Sequence, residues 1–111
     1  MSSEEFAAMG FMTAKAGRED ECSKLAKDMT ESTNQEDAGC IYYAILKKAD
    51  NPSEFALHER WKDIPSLRAH LRRLKAVYGE PAPGSPAGSL PAAIAEPFEK
   101  VQFFGILQPV E

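Results

Sequence analysis

The 111-residue chain is poor in the residues that build metal and redox centres. It has two histidines, His58 and His70, and two cysteines, Cys22 and Cys40, with no spacing among them that would place three or four ligands around one ion. No metal site is therefore expected. Two cysteines are also too few for a disulfide scaffold, which points to reduced thiols and a cytoplasmic setting. A G-x-S-x-G elbow is absent, and so is a glycine-rich phosphate cradle, which leaves nucleophilic catalysis and nucleotide-cofactor binding without support. The longest apolar run, Phe6 to Met12, is too short to cross a bilayer, so no membrane partner is expected. Met1-Ser-Ser-Glu-Glu lacks the basic stretch of a secretory signal. Positive charge is scarce overall: the formal net charge is −4, which argues against nucleic-acid binding. The one basic cluster, Arg68, Arg72, Arg73 and Lys75, falls on a helix and reads as its solvated face.

What remains has the composition of a single globular domain spanning residues 1–111, with 43% hydrophobic residues and 27% charged ones. Residues 1–5 read as an unattached acidic tail. Phe6 to Lys15 is expected to be a strand that is apolar on both faces. Arg18 to about Thr33 follows as a helix with Cys22, Leu25, Ala26 and Met29 on its buried stripe. Cys40 to Lys48 is a second strand. Asp50-Asn51-Pro52-Ser53 is a turn signal, and Glu54 to Lys62 should return as the hairpin partner. Residues 80–89 contain Pro81, Pro83, Pro86, Gly84 and Gly88, five of ten positions, and are expected to form an extended mobile loop. Glu99 to Leu107 is the last strand, with Phe103 and Phe104 on opposite faces.

The richest stretch is Asn51 to Leu71. Strand alternation puts Phe55, Leu57, Glu59 and Trp61 on one face. Asp63 is placed to cap the next helix, with Pro65 in its first turn and Gly79 past its end. That helix repeats Ile64, Leu67, Leu71, Leu74 and Tyr78 as an apolar stripe, with His70 on its flank. A buried carboxylate needs a partner, and His70 is the natural one for Glu59. Such a pair either ties helix to sheet or orients His70 as a general base near neutral pH. His58 and Arg60 fall on the opposite strand face.

The element order βαββαβ is that of a ferredoxin-like α+β unit with an antiparallel sheet. Its two helices cover one sheet face, yet Phe11, Tyr42 or Tyr43, and Phe103 or Phe104 make the other face apolar as well. A second copy packed on that face would bury it, so a homodimer is expected.

Three motifs recur in one family. Lys15-Ala16-Gly17-Arg18-Glu19, Gly39-Cys40-Ile41-Tyr42-Tyr43, and Glu59-x-Trp61 followed after eight residues by His70 resemble the patterns of antibiotic biosynthesis monooxygenases, over roughly Phe11 to Ile106. The resemblance implies a ferredoxin-like fold paired into a dimeric α+β barrel. In some members it also implies oxidation of a small aromatic or quinone-like molecule by dioxygen without a cofactor. On that reading His70 is the base, Glu59 its orienter and Trp61 a substrate contact, with Leu57 and Leu74 in the substrate pocket. Leu57 stands where better-described members carry an asparagine. The alternatives are a non-oxidative member of the same superfamily, either isomerase-like or a small-molecule binder, and, further off, a haem-degrading relative.

Overall fold

The computed structural model describes residues 4–84 and 88–110. Residues 1–3 of the expected tail and 85–87 of the expected loop lie outside them. The elements are β1 (Phe6–Ala14), α1 (Glu19–Glu36), β2 (Cys40–Lys48), β3 (Asn51–Trp61), α2 (Ile64–Tyr78), α3 (Ala92–Ala95) and β4 (Phe98–Leu107). The four strands form one antiparallel sheet in the order β2-β3-β1-β4. This is the ferredoxin-like arrangement expected from the element order.

Alternation divides the sheet cleanly. Phe6, Met12 and Ala14 of β1, with Phe55, Leu57, Glu59 and Trp61 of β3, are buried beneath the helices. Tyr43 faces the helices from β2 and is buried, whereas Tyr42 lies on the opposite face beside His58, ring centroids 4.8 Å apart. Phe11, Tyr42, Leu46 and Phe104 stay exposed, Phe104 by 62%.

Helix α1 runs three residues beyond the expected end at Thr33. The run Ser32 to Asp37 reads as a helix-stopping polar segment, but Thr33 is fully buried and Asn34 is used on the edge of the sheet. Asn34 Nδ2 donates to the Tyr43 carbonyl at 2.9 Å, and the Ile45 amide donates to Thr30 Oγ1 at 3.3 Å. Polar side chains of α1 thus satisfy the free edge of β2, a place where unpaired backbone groups are a liability. The β2–β3 turn is also tighter than expected: β3 begins at Asn51, whose Oδ1 accepts from the Ser53 amide at 3.1 Å.

Helix α2 starts as the sequence indicates. Asp63 Oδ1 accepts from the Ser66 amide at 2.9 Å and from Ser66 Oγ at 2.6 Å. Gly39 packs directly on this turn: a Cβ there would stand 2.1 Å from Ser66 Cβ, closer than any side chain tolerates. The Lys62 amide donates to the Gly39 carbonyl at 3.0 Å. The close approach brings the end of α1, and with it Asp37, against the middle of α2.

The loop after α2 is anchored at its base. Pro81 bridges Pro91, the Ala92 amide donates to the Glu80 carbonyl at 3.0 Å, and Leu90 is buried. Leu90 is the apolar anchor just past the expected loop boundary at Ser89. At the N-terminus, Glu5 pairs with Arg60 at 3.4 Å. No helix among the described residues is long and apolar enough to cross a membrane.

Candidate functional site

Between the covered sheet face and the three helices lies a cavity of about 250 Å³. Its wall is mostly apolar, with Met12, Met29, Leu57, Leu74, Ile94 and Phe98 among the contributors. Among the described residues the polar side chains on it are Tyr43, Glu59, His70 and Ser89. An apolar hollow with a few convergent polar groups is the usual form of a small-molecule site.

His70 projects from α2 into this wall and is 3% exposed, more buried than the leucines at positions 67 and 71 that flank it on the stripe. Its Nδ1 lies 2.6 Å from Asp37 Oδ2, at the end of α1. Arg73, one turn along α2, donates to the same carboxylate from Nε at 2.8 Å and from Nη2 at 3.0 Å. Burial alone would push the Asp37 carboxyl up, but the hydrogen bonds from Arg73 and His70 hold it below its ordinary value. An ionised Asp37 only accepts, so Nδ1 of the neutral ring carries the proton and Nε2 keeps a lone pair. Burial keeps the imidazole below its ordinary value, with the Asp37 hydrogen bond pulling the other way. No side-chain nitrogen or oxygen among the described residues is both sealed off and unpartnered. Nε2 has no partner among the described residues and so keeps some accessible surface, on a ring that forms part of the cavity wall. A neutral ring with one nitrogen anchored and the other accessible is suited to taking a proton from a bound molecule.

The partner of His70 is therefore Asp37, not Glu59. Glu59 turns along its own strand to Trp61, two residues on and on the same face, whose Nε1 donates to Oε1 at 2.5 Å. Burial pushes the Glu59 carboxyl up, and the Trp61 hydrogen bond only partly offsets this. Asp37 carries a full charge reinforced by Arg73, which makes it the better acceptor for the imidazole. Trp61 is fully buried, its ring 4.8 Å from that of His70, and it is not among the residues lining the cavity. Leu57 and Leu74 line the cavity together with Glu59 and His70. Among the described residues no three His, Cys, Asp or Glu side chains gather as a metal site would need.

The sequence profile of the antibiotic biosynthesis monooxygenase family matches residues 5–75, the segment that carries β1 through most of α2 and with it Asp37, Glu59 and His70. The chain belongs to this family. Among solved structures, a candidate antibiotic biosynthesis monooxygenase from Bacteroides thetaiotaomicron superposes with a TM-score of 0.75 at 9% identity, covering 97% of this chain and 91% of that one. One from Nitrosomonas europaea gives 0.69 at 17% identity, covering 100% and 98%. A conserved protein from Methanosarcina mazei gives 0.66 at 22% identity, covering 91% of each. At these identities the likeness is one of fold. No curated protein matches the chain in sequence.

Within this antibiotic biosynthesis monooxygenase fold, two site residues escape a reading of the central stretch alone. Asp37 sits in a polar run whose visible signal is the end of a helix. Tyr43 belongs to the Gly39–Tyr43 motif, but sequence alternation does not decide between it and Tyr42 for the covered face. The bulge between Cys40 and Tyr42 sets that choice.

Proposed function

We propose that this protein is a cofactor-independent monooxygenase acting on a small phenol or quinol, with His70 as the general base. The observation that carries this reading is the anchored imidazole on the wall of an apolar cavity. Once Nε2 has taken the phenol proton, the phenolate passes one electron to dioxygen. The resulting radical pair joins at a hydrogen-bearing ring carbon ortho or para to the oxygen, and the peroxide takes the proton back from His70. That carbon's hydrogen then leaves with the outer oxygen as water, giving a quinone from a phenol or a hydroxyquinone from a quinol. One oxygen atom enters the product and the other leaves as water. An apolar enclosure favours this by excluding water from the anion and the peroxide. Leu57, Leu74 and the neighbouring apolar side chains would hold the ring, while Trp61 would act from behind by fixing Glu59.

The test is dioxygen uptake with a panel of hydroxynaphthalenes and naphthoquinols, corrected for spontaneous oxidation. Wild type should accelerate uptake, and His70→Asn should reduce the enzymic part by about 100-fold or more, the usual worth of a positioned base. No acceleration with any member of the panel would sink the oxygenase reading.

A second reading has an observation of its own. Glu59, held toward its protonated form, and His70, held toward its neutral form, share one cavity. An acid and a base so arranged could move a proton between two carbons of an enolisable carbonyl compound without oxidation. Solvent deuterium entering such a compound with no dioxygen consumed would favour it.

We further propose that two copies pair through the uncovered sheet face. The exposure of Phe11, Tyr42, Leu46 and Phe104 on one side of a regular sheet supports this. Sedimentation at micromolar concentration should give twice the chain mass, and Phe104→Glu should shift it toward a single chain. A monomeric wild type would overturn the pairing.

A further inference from the structure

We propose that the Tyr43 hydroxyl donates the hydrogen bond that holds a ligand's oxygen atom against His70, so that the cavity selects oxygenated two-ring arenes over bare hydrocarbons. This rests on reading the cavity as the ligand site, and not on the oxidative chemistry proposed for it.

Tyr43 is 3% exposed, and its side chain forms part of the cavity wall. Its carbonyl accepts from Asn34, but its hydroxyl has no partner among the described residues. A buried hydroxyl left without a partner costs stability, so such groups are rare and call for a reason. Because no polar side-chain atom among the described residues is both sealed and unpartnered, this hydroxyl keeps some accessible surface, as Nε2 does. Strand pairing sets Tyr43 directly opposite Glu59, and its ring centroid lies 5.4 Å from that of His70. Two rings at that separation can address one ligand oxygen, Tyr43 as donor and His70 as acceptor. Tyr43 stays in the donating form, since burial first and the nearby Glu59 second both oppose ionisation. Of the two Glu59 oxygens, Oε1 is already engaged by Trp61.

Size narrows the ligand. An apolar protein cavity of about 150 Å³ holds benzene. The space here, about 250 Å³, has room for a second ring. A phenolic oxygen offers a proton to Nε2 and a lone pair to Tyr43, which a bare arene cannot.

The test compares naphthalene, 1-methoxynaphthalene and 1-naphthol on the full chain. Binding is read by calorimetry and by the fluorescence of Trp61, the chain's one tryptophan. Wild type should bind both oxygenated compounds about tenfold more tightly than naphthalene, the scale of one well-placed hydrogen bond. In Tyr43→Phe the preference for 1-methoxynaphthalene over naphthalene should fall to near unity, 1-naphthol keeping only what its proton gives to Nε2, while naphthalene affinity changes less than twofold. The melting temperature should hold or rise, because the hydroxyl has no partner among the described residues to lose. Four outcomes would overturn the proposal: a preference for 1-methoxynaphthalene that survives in Tyr43→Phe, an equal loss for all three compounds, a melting temperature lowered by several degrees, or no binding of any compound at millimolar concentration. Absence of dioxygen uptake alongside an intact Tyr43-dependent preference would instead defeat the oxygenase reading and leave this one standing.

Discussion

Asp37→Asn should lower the stability of the protein by about 3 kcal/mol, as expected when one member of a buried charged pair is removed. It should also reduce any His70-dependent turnover by at least 100-fold. The carboxylate receives three hydrogen bonds, one from His70 and two from Arg73, and its side chain is only 8% exposed. An asparagine amide has one acceptor where the site needs two, and its NH₂ would face either the guanidinium or the imidazole N–H. The ring would then be free to turn or to adopt the other tautomer, and Nε2 would no longer be presented to the cavity as a lone pair. Denaturant unfolding measures the first effect and steady-state rates the second; a stable variant with wild-type rates would show the contact to be incidental.

The same triad fixes how stability should respond to pH. Folding lowers the values of both His70 and Asp37 below their ordinary ones, about 6.5 and 3.8. The unfolded chain therefore binds protons more readily at these groups, and their contributions are present at neutral pH and lost on acidification. The His70 contribution should fade as pH drops below about 6.5, and that of Asp37 below about 3.8. Glu59 acts in the opposite sense, because its folded value is raised. Its contribution is full below about 4.5 and is lost as pH climbs through the elevated value. The cost of Asp37→Asn should accordingly be largest near neutrality and shrink toward pH 3.

The architecture was legible because it follows from periodicity. Period-2 alternation, the Asp63 cap, Pro65 in the first turn and Gly79 at the end of α2 each have local causes, and α2 forms where those causes place it. The site was legible only halfway. His70, Glu59, Leu57 and Leu74 converge on one cavity because they lie on β3 and α2, which are adjacent in the chain and packed together. Asp37 reaches His70 from 33 positions away, through the close packing of Gly39 on Ser66, and no short-range pattern encodes such a contact. The pairing of Glu59 with Trp61 rather than His70 is a competition among acceptors, decided by the Arg73 charge behind Asp37. Residue types alone do not reveal that competition.

Trp61→Phe tests what the tryptophan does. If Trp61 acts through Glu59, the change should destabilise the protein by about 3 kcal/mol, combining lost core volume with a buried carboxylate deprived of its donor. Trp61 is fully buried, and its Nε1 is the group that holds Glu59 down against the effect of burial. Without it, the Glu59 carboxyl should rise further and remain protonated over a wider pH range. The loss therefore has a separable part: Glu59→Gln removes the charge that the indole stabilises. In a Trp61→Phe/Glu59→Gln double variant, about 1–2 kcal/mol of the cost should be recovered relative to the sum of the single changes, the coupling expected of residues in direct contact. Strict additivity would mean that the hydrogen bond contributes little and that Trp61 matters through volume alone. A substrate-contacting tryptophan would behave differently again, raising KM for every ligand while leaving unfolding nearly unchanged. Because the indole lies behind the cavity wall, with the His70 ring tilted against it at 4.8 Å, the first pattern is the one expected.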